Sequence, residues 1–142
     1  MEITVTKGLP SGGRQVRLEV FVREQGFTEA SEFDDVDRDA WHAVAWENGF
    51  PLATGRLFPD KEREAGCVIG RIAVRRERRG ARLGAAVMDA LEQKALSLGA
   101  REIRLCAQVR ARGFYESLGY TAYGEIVYDE SVPRTMMKKI LA

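Results

Sequence analysis

Cysteine and histidine are scarce in this sequence, which contains two cysteines and one histidine among 142 residues. Two cysteines do not make a disulfide framework in a domain of this size. Cys67 and Cys106 both lie in apolar, strand-like runs, so we expect free, buried thiols. Because these potential ligands are few and their spacing fits no metal site, the sequence predicts no metal centre.

Long apolar runs and a strong excess of one charge are also absent. No segment is apolar enough to span a bilayer, and the first ten residues lack the apolar core of a signal peptide. We therefore expect a cytoplasmic protein that binds no membrane. The formal net charge of +1 argues against generic nucleic-acid binding. Without repeats, low-complexity tracts or linkers, the length predicts one domain over residues 1–142.

An alternation of strand-like and helical patterns is present instead. β-Branched residues at 2–6 predict a first strand, and apolar residues at helical spacing predict a helix over 13–23. Asn48-Gly49 lies between two apolar runs and is a strong hairpin signal. Further segments are expected as strands at 66–75, 101–107, 120–128 and 134–140, and as helices at 80–98 and 109–118. This order predicts a mixed α/β fold with one parallel crossover.

Residues 71–86 carry the strongest functional signal. A strand-like run passes into five arginines, and Gly80 and Gly84 mark where the pattern becomes helical. The unpaired N–H groups and the dipole of a helix N-terminus attract anions, and arginine forms bidentate contacts with phosphate. The segment therefore predicts a site for a phosphate-bearing ligand. A solvated, charged turn is the alternative, which the preceding strand and the following amphipathic helix disfavour.

Three segments resemble the GNAT superfamily of N-acetyltransferases, and the resemblance covers nearly the whole chain. The family's acyl-CoA loop has the pattern Gln/Arg-x-x-Gly-x-Gly/Ala, which residues 79–84 match at both ends, with Arg82 in place of the first glycine. Phe114-Tyr115 followed by Gly119-Tyr120 is similar to the family's final segment. Residues 20–25, VFVREQ, resemble a bacterial branch with ElaA-like and YjcF-like members.

For the fold, the resemblance implies a central mixed β-sheet flanked by helices, in which the strands at 66–75 and 101–107 splay apart. Acetyl-CoA would enter this wedge as a co-substrate, without a metal. A backbone N–H near Val74 would polarise the thioester carbonyl. An arginine early in a helix has ordinary backbone angles, so we expect the loop to form with Arg82 there. The residues implied in coenzyme binding are Ile72, Ala73, Val74, Arg79, Gly80, Ala81, Arg82, Leu83, Gly84, Gln108 and Phe114.

Two of these assignments have structural alternatives. Gln108 would contact the coenzyme, or it would satisfy nearby backbone groups. The resemblance implies that Tyr115 donates a proton to the leaving thiolate of coenzyme A, a transfer that is only modestly uphill from a phenol of pKa about 10 to a thiol of about 8.5. Tyr115 also shares a helical face with Ala111, Phe114 and Leu118, which is typical of a core aromatic. A phenol can bury its ring and still present its hydroxyl, so periodicity does not separate the two.

The acceptor side of the cleft is assigned by the resemblance to the early segment. Residues 24–40 predict a loop with one helical turn, in which the six carboxylates between residues 29 and 39, beside aromatic residues, would suit a cationic amine. A solvated acidic loop is the alternative. Glu24 is the first candidate for the base that deprotonates the amine and His42 the second, although a lone histidine in a strand is more often structural. The residues predicted to contact the acceptor are Phe21, Gln25, Phe27, Trp41 and His42.

Together these inferences predict an enzyme that transfers an acetyl group from acetyl-CoA to a primary amine. Direct attack is expected because the sequence shows no activated nucleophile. The acceptor would be a small-molecule or peptide amine, and the protein a monomer or homodimer. An acyl-CoA-binding sensor or interaction module without efficient transfer is the alternative. A nucleic-acid-binding role for the arginine cluster is opposed by the balanced charge.

Overall fold

Seven strands form one mixed sheet in the computed structural model, which describes residues 1–141. The strands lie in the order β1-β2-β3-β4-β5-β7-β6, and the β4–β5 pair is parallel. Their bounds are β1 Glu2–Lys7, β2 Trp41–Glu47, β3 Phe50–Pro59, β4 Gly66–Val74, β5 Glu102–Gln108, β6 Thr121–Asp129 and β7 Val132–Ile140. The predicted mixed sheet with a parallel crossover is confirmed.

Helices cover both faces of this sheet. The first helix continues beyond α1 with the wider π winding over Leu18–Glu24. The acidic segment contains two short helices where one turn was expected, and α4 begins three residues later than predicted. The α-helices are α1 Ser11–Arg17, α2 Glu29–Glu32, α3 Val36–Asp39, α4 Leu83–Ser97 and α5 Arg112–Ser117. No helix within residues 1–141 is long and apolar enough to cross a membrane.

The predicted hairpin joins β2 and β3 through Asn48-Gly49. Both residues have positive φ, 50° and 77°, as the tight hairpin turn between antiparallel strands requires. Alternating residues of β3 then face opposite layers. Gly55 lies under α4, where an added Cβ would come within 3.0 Å of the Val87 and Leu91 side chains. Thr54 lies on the α1 side, beside Gly13. The sheet therefore packs against one helical layer on each face.

A bulge in β4 opens the wedge that the resemblance implied. Thr54 pairs with Ala73 and Arg56 with Gly70, so Arg71 and Ile72 lie opposite one residue of β3, and Arg71 has a φ of 54°. Such a bulge bends its strand. Within the described residues, β4 and β5 pair over three positions that end at Val68. Beyond Val68 the two strands separate, which confirms the predicted splay.

Candidate functional site

A cleft of about 1170 Å³ occupies the wedge between β4 and β5. One end reaches the loop before α4, and the other opens under the π-helical turn and α2 on the α1 side of the sheet. Ten of the eleven residues predicted to bind the coenzyme line this cleft, and Ala81 is exposed on the loop outside it. The strand–loop–helix segment that carried the sequence signal therefore forms one wall of this cleft.

The loop before α4 corrects one expectation about Arg82. This residue is the N-cap of the helix and has φ 64° and ψ 20°, in the left-handed region, whereas ordinary helical angles were expected. A residue with a Cβ pays about 1–2 kcal/mol for that conformation. Glycine avoids this cost, which explains physically why the family pattern has glycine here. The cap makes no side-chain hydrogen bond to the described residues, so the first N–H groups of α4 are left for a ligand.

Gly84 allows close packing at the α4 end of the cleft. A Cβ at this position would lie 3.1 Å from Phe114 Cζ, so the first turn of α4 rests against the Phe114 ring. That ring in turn meets the Tyr115 ring edge-on, with centroids 4.9 Å apart. The glycine of the loop and the aromatic pair of α5 were separate sequence signals, and the fold brings them into contact.

The arginines of the loop are held by partners from other elements. Arg75 Nε donates to the Pro51 carbonyl at 2.7 Å, and Arg78 forms a bidentate pair with Glu47 at 2.8 and 2.9 Å. Both contacts fasten the loop to the β2–β3 hairpin. Arg79 donates to the Val74 carbonyl at 3.0 Å. The loop is therefore an ordered structure, which argues against the alternative of a solvated turn.

Glu24 and Arg79, which were predicted for different roles, form an ion pair. The guanidinium of Arg79 binds both carboxylate oxygens of Glu24 at 2.6 and 2.7 Å. The hydrogen bonds from Arg79 hold the pKa of Glu24 below its ordinary value. A carboxylate of lowered pKa is a weaker base. The availability of Glu24 as a base is thus coupled to what the Arg79 side chain binds.

Tyr115 presents a neutral phenol to the cleft. Its ring is buried in the core shared by α4 and α5, and its side chain lines the cleft. Its hydroxyl makes no hydrogen bond to residues 1–141. Burial raises the pKa of Tyr115, so the hydroxyl keeps its proton at neutral pH. The packing of the ring agrees with the core interpretation, and the place of Tyr115 in the lining of the cleft leaves the proton-donor role as a prediction.

The half of the cleft under the π-helical turn, which we call the acceptor half after its predicted role, contains three of the five predicted acceptor residues. Phe21 and Phe27 form an apolar wall, and Gln25 accepts a 2.9 Å hydrogen bond from Gln108 Nε2. Gln108 is thus engaged by a side chain of the π-helical turn. This contact joins β5 to that turn across the mouth of the cleft.

Trp41 and His42 lie away from the cleft, and their placement does not support the predicted acceptor role. Trp41 is on β2, where Lys94 Nζ of α4 lies 3.7 Å from the ring centroid. His42 is 1 % exposed, and its Nε2 lies 2.9 Å from the Asp37 carbonyl oxygen. Burial lowers the pKa of His42, so the ring stays neutral. Because β2 is covered on both faces, His42 has no path to an acceptor.

Half of the six carboxylates in the acidic segment belong to a buried ion network, whereas Glu29, Asp35 and Asp39 are exposed to solvent. Arg17 is 1 % exposed and binds Glu32 at 2.8 Å and Asp37 at 2.7 Å. Arg56 binds Asp34 at 2.7 Å and Asp37 at 2.9 Å. One further member, Arg71, completes this set through ion pairs with Glu32 and Asp34. We call it the Arg17 network: Arg17, Glu32, Asp34, Asp37, Arg56 and Arg71. Three carboxylates are therefore neutralised by three arginines and are not free for a cationic amine.

Cys106 corrects a second expectation, because the structure exposes it. Cys67 is buried as predicted, whereas Cys106 lines the cleft on the exposed face of β5. The alternation of β5 contained this signal, since Ile103, Leu105 and Ala107 are all buried on the opposite face. Among residues 1–141, no group of three or more His, Cys, Asp and Glu side chains could hold a metal ion.

Comparison with known proteins places this architecture in a family. Residues 14–120 match the acetyltransferase (GNAT) family, and the chain belongs to it. The uncharacterized N-acetyltransferase YjcF of Bacillus subtilis (strain 168) is 33% identical over 125 residues, covering 87% of each chain. ElaA of Escherichia coli (strain K12) is 28% identical over 127 residues, covering 88% of this chain and 83% of ElaA. The resemblance to the ElaA-like and YjcF-like branch is confirmed.

Solved structures support the same assignment. An acyl-CoA N-acyltransferase from Pseudomonas aeruginosa superposes with a TM-score of 0.83 at 28% identity, covering 97% of this chain and 98% of that one. The crystal structure of Escherichia coli ElaA superposes with a TM-score of 0.84 and the same coverage, and shows the shared fold. The mixed sheet with the splayed strand pair is the GNAT acyltransferase fold.

Proposed function

We propose that this chain transfers an acetyl group from acetyl-CoA to a primary amine by direct attack within the β4–β5 cleft. The observation that carries the proposal is the backbone of β4 beyond Val68, which has no strand partner on the β5 side. An unpaired strand edge is a template for an extended, amide-containing chain. The pantetheine arm of coenzyme A is such a chain, and Ile72, Ala73 and Val74 would pair with it.

The orientation of Val74 supports a role for its N–H group. Arg75 N–H donates to the Leu52 carbonyl at 2.9 Å, and Val74 is the register partner of Ala53. Val74 and Ala53 therefore form a non-hydrogen-bonded pair, so the N–H of Val74 points away from β3 and into the wedge. A backbone N–H in that position would stabilise the oxyanion that forms when the thioester carbonyl is attacked.

The coenzyme phosphates would lie at the other end of the cleft. The N–H groups of residues 80–84 are uncapped by side chains of the described residues, and the dipole of the 15-residue α4 favours an anion there. The Arg79 guanidinium lies at the same end and would exchange Glu24 for phosphate, a partner of higher charge. Residues 79–84 would then form the binding site for the pyrophosphate.

In the transfer itself, the amine nitrogen forms a bond to the acetyl carbon and the carbon–sulfur bond breaks. The Tyr115 hydroxyl donates its proton to the departing thiolate, and its burial as a neutral phenol suits that role. The amine loses its proton to Glu24 or to water. Water then returns a proton to the Tyr115 phenolate. Holding both reactants in one cleft supplies much of the rate acceleration.

The test is an assay of the full chain with acetyl-CoA and a panel of primary amines. Free thiol is measured continuously, and the N-acetylated product is identified by mass spectrometry. A reaction without amine measures hydrolysis. We expect thiol release that depends on an amine and matches product formation. Tight coenzyme A binding with no product from any amine would overturn transfer and favour the acyl-CoA sensor.

A further inference from the structure

Arg134 extends from β7 into the acceptor half of the cleft. It is the register partner of Gln108, so the two side chains lie on the same face of the sheet. The Arg134 side chain is 18 % exposed and lines the cleft. Its guanidinium carbon lies 6.0 Å from the centroid of the Phe27 ring. None of the sequence patterns identified this residue, because β7 is remote in sequence from every other part of the site.

The guanidinium of Arg134 lacks the partners that other buried arginines have. It makes no hydrogen bond to any of residues 1–141, and its Nε atom is buried and unpaired. The nearest carboxylate oxygen is 3.6 Å away, on the 67 % exposed side chain of Asp129. A largely buried guanidinium without hydrogen bonds is costly, and a bidentate carboxylate satisfies it best.

The surroundings of Arg134 place it close to the reacting groups. Its positive charge acts on the Tyr115 hydroxyl and on the Cys106 thiol, opposing the effect of burial on their pKa. Arg56 and Arg71, which also line this half, are already neutralised by carboxylates of the Arg17 network. Arg110 lines it too but is exposed to solvent. Arg134 is therefore the largely buried cation in this half that a ligand can reach without displacing a hydrogen-bonded carboxylate of the described residues.

We propose that Arg134 binds a carboxylate carried by the acceptor, so that the acceptor is an amine of the amino-acid class. This inference rests on the proposed acetyl transfer and names the substrate class of the same cleft. The carboxylate forms the bidentate contact with Arg134, and the amine is held on the side of Tyr115. The Gln25–Gln108 amide pair and the Phe27 ring border the remaining space.

The experiment compares amino acids with the amines left when their carboxylate is removed. Suitable pairs are L-leucine with isopentylamine, L-lysine with cadaverine, and L-phenylalanine with phenethylamine. We expect kcat/KM to be at least tenfold higher for an amino acid than for its partner in one or more pairs. Arg134→Ala should lower that value about 10- to 100-fold for the amino acid and less than about threefold for the decarboxylated amine. Arg134→Lys should restore part of the preference.

Arg101→Ala is the matched control. The substitution removes the same charge from an exposed arginine that precedes the opposite end of β5. It should leave both rates unchanged. A second measurement is the calorimetric binding of N-acetylated amino acids to the coenzyme A complex, which Arg134→Ala should abolish. Equal losses for both members of a pair, a preference for the decarboxylated amines, or binding that survives Arg134→Ala would overturn the proposal. Failure of every amine to react, with N-acetyl amino acid binding intact, would overturn the proposed transfer instead.

Discussion

The basic loop at residues 75–82 and the Arg17 network use the same side chain in opposite ways. The loop arginines are close together in sequence and, apart from the buried Arg75, lie at the surface around a helix N-terminus. The network arginines are far apart in sequence and are buried against carboxylates of α2 and α3. Arg79 keeps a 41 % exposed side chain, whereas Arg17 is 1 % exposed.

This difference teaches that partners decide what an arginine does. In the loop, Arg79 is paired with a carboxylate that it can exchange for a ligand, because both groups reach solvent. In the network, the loss of either charge would leave the other buried and uncompensated. The loop can therefore serve binding, and the network holds α1, α2 and β3 together under the acceptor half of the cleft.

The largest effect is expected from Arg17→Ala. The substitution leaves Glu32 and Asp37 buried without their hydrogen-bonded cation, and should lower the free energy of unfolding by about 3–5 kcal/mol. Denaturant unfolding measures this loss. Arg14→Ala is the control on the same helix, since that side chain is 50 % exposed and 3.8 Å from Glu29. It should cost no more than about 1 kcal/mol. Equal losses in the two variants would refute the distinction between the regions.

Tyr115→Phe is expected to reduce kcat by at least about 100-fold, because the proton for the thiolate is removed while the ring remains. Coenzyme A affinity, measured by calorimetry, should change less than about threefold. Tyr120→Phe is the matched control, since the Tyr120 hydroxyl donates to Glu92 at 2.7 Å outside the cleft. An unchanged kcat in Tyr115→Phe would make Tyr115 a packing residue.

Arg79→Ala should weaken coenzyme A binding about tenfold through the loss of a charge-assisted contact with phosphate. Its effect on stability should stay within about 1 kcal/mol, because the Arg79–Glu24 pair is partly exposed. Calorimetry measures the affinity for coenzyme A, and denaturant unfolding measures the free energy of unfolding. Arg78→Ala removes an arginine that is ion-paired with Glu47. It should alter the affinity for coenzyme A less than Arg79→Ala does. Equal affinity in wild type and Arg79→Ala would remove Arg79 from the site.

The pH dependence of the rate tests Glu24 as the base. Hydrogen bonds from Arg79 lower the pKa of Glu24 in the free enzyme. The pH profile of kcat/KM for acetyl-CoA reports the free enzyme, so its acid limb should lie below the ordinary glutamate range. In Arg79→Ala that pKa rises, and the acid limb moves to higher pH. Glu24→Gln should flatten this limb. A profile that Glu24→Gln leaves unaltered would clear Glu24 of the role.

The smallest effect is expected from Arg82→Gly. Glycine adopts the left-handed conformation of residue 82 without a Cβ penalty, whereas the substitution removes one positive charge from the loop. These effects oppose each other, so the dissociation constant of coenzyme A should change less than about threefold. A tenfold loss of affinity would show that the Arg82 guanidinium, and not the helix N-terminus, supplies the binding.

The order of strands and helices, and the residues of the loop before α4 that line the cleft, were predictable because they depend on local patterns. Strand alternation, the Asn48-Gly49 turn and the glycines around α4 are each read within a few residues. The Arg17 network was missed because its ion pairs join residues 15 to 39 positions apart and a dense acidic segment looks like a solvated loop. The left-handed angle of Arg82 was missed because helix periodicity does not locate the cap residue. Arg134 was missed because register between β5 and β7 is a property of the folded sheet.

A crystal structure of the protein with coenzyme A bound would test the central claim most directly. The account predicts pantetheine paired with the backbone of residues 72–74, the pyrophosphate on the N–H groups of residues 80–84, and the sulfur within hydrogen-bonding distance of the Tyr115 hydroxyl. A coenzyme whose sulfur lies outside the β4–β5 wedge, or whose phosphates avoid the start of α4, would contradict it.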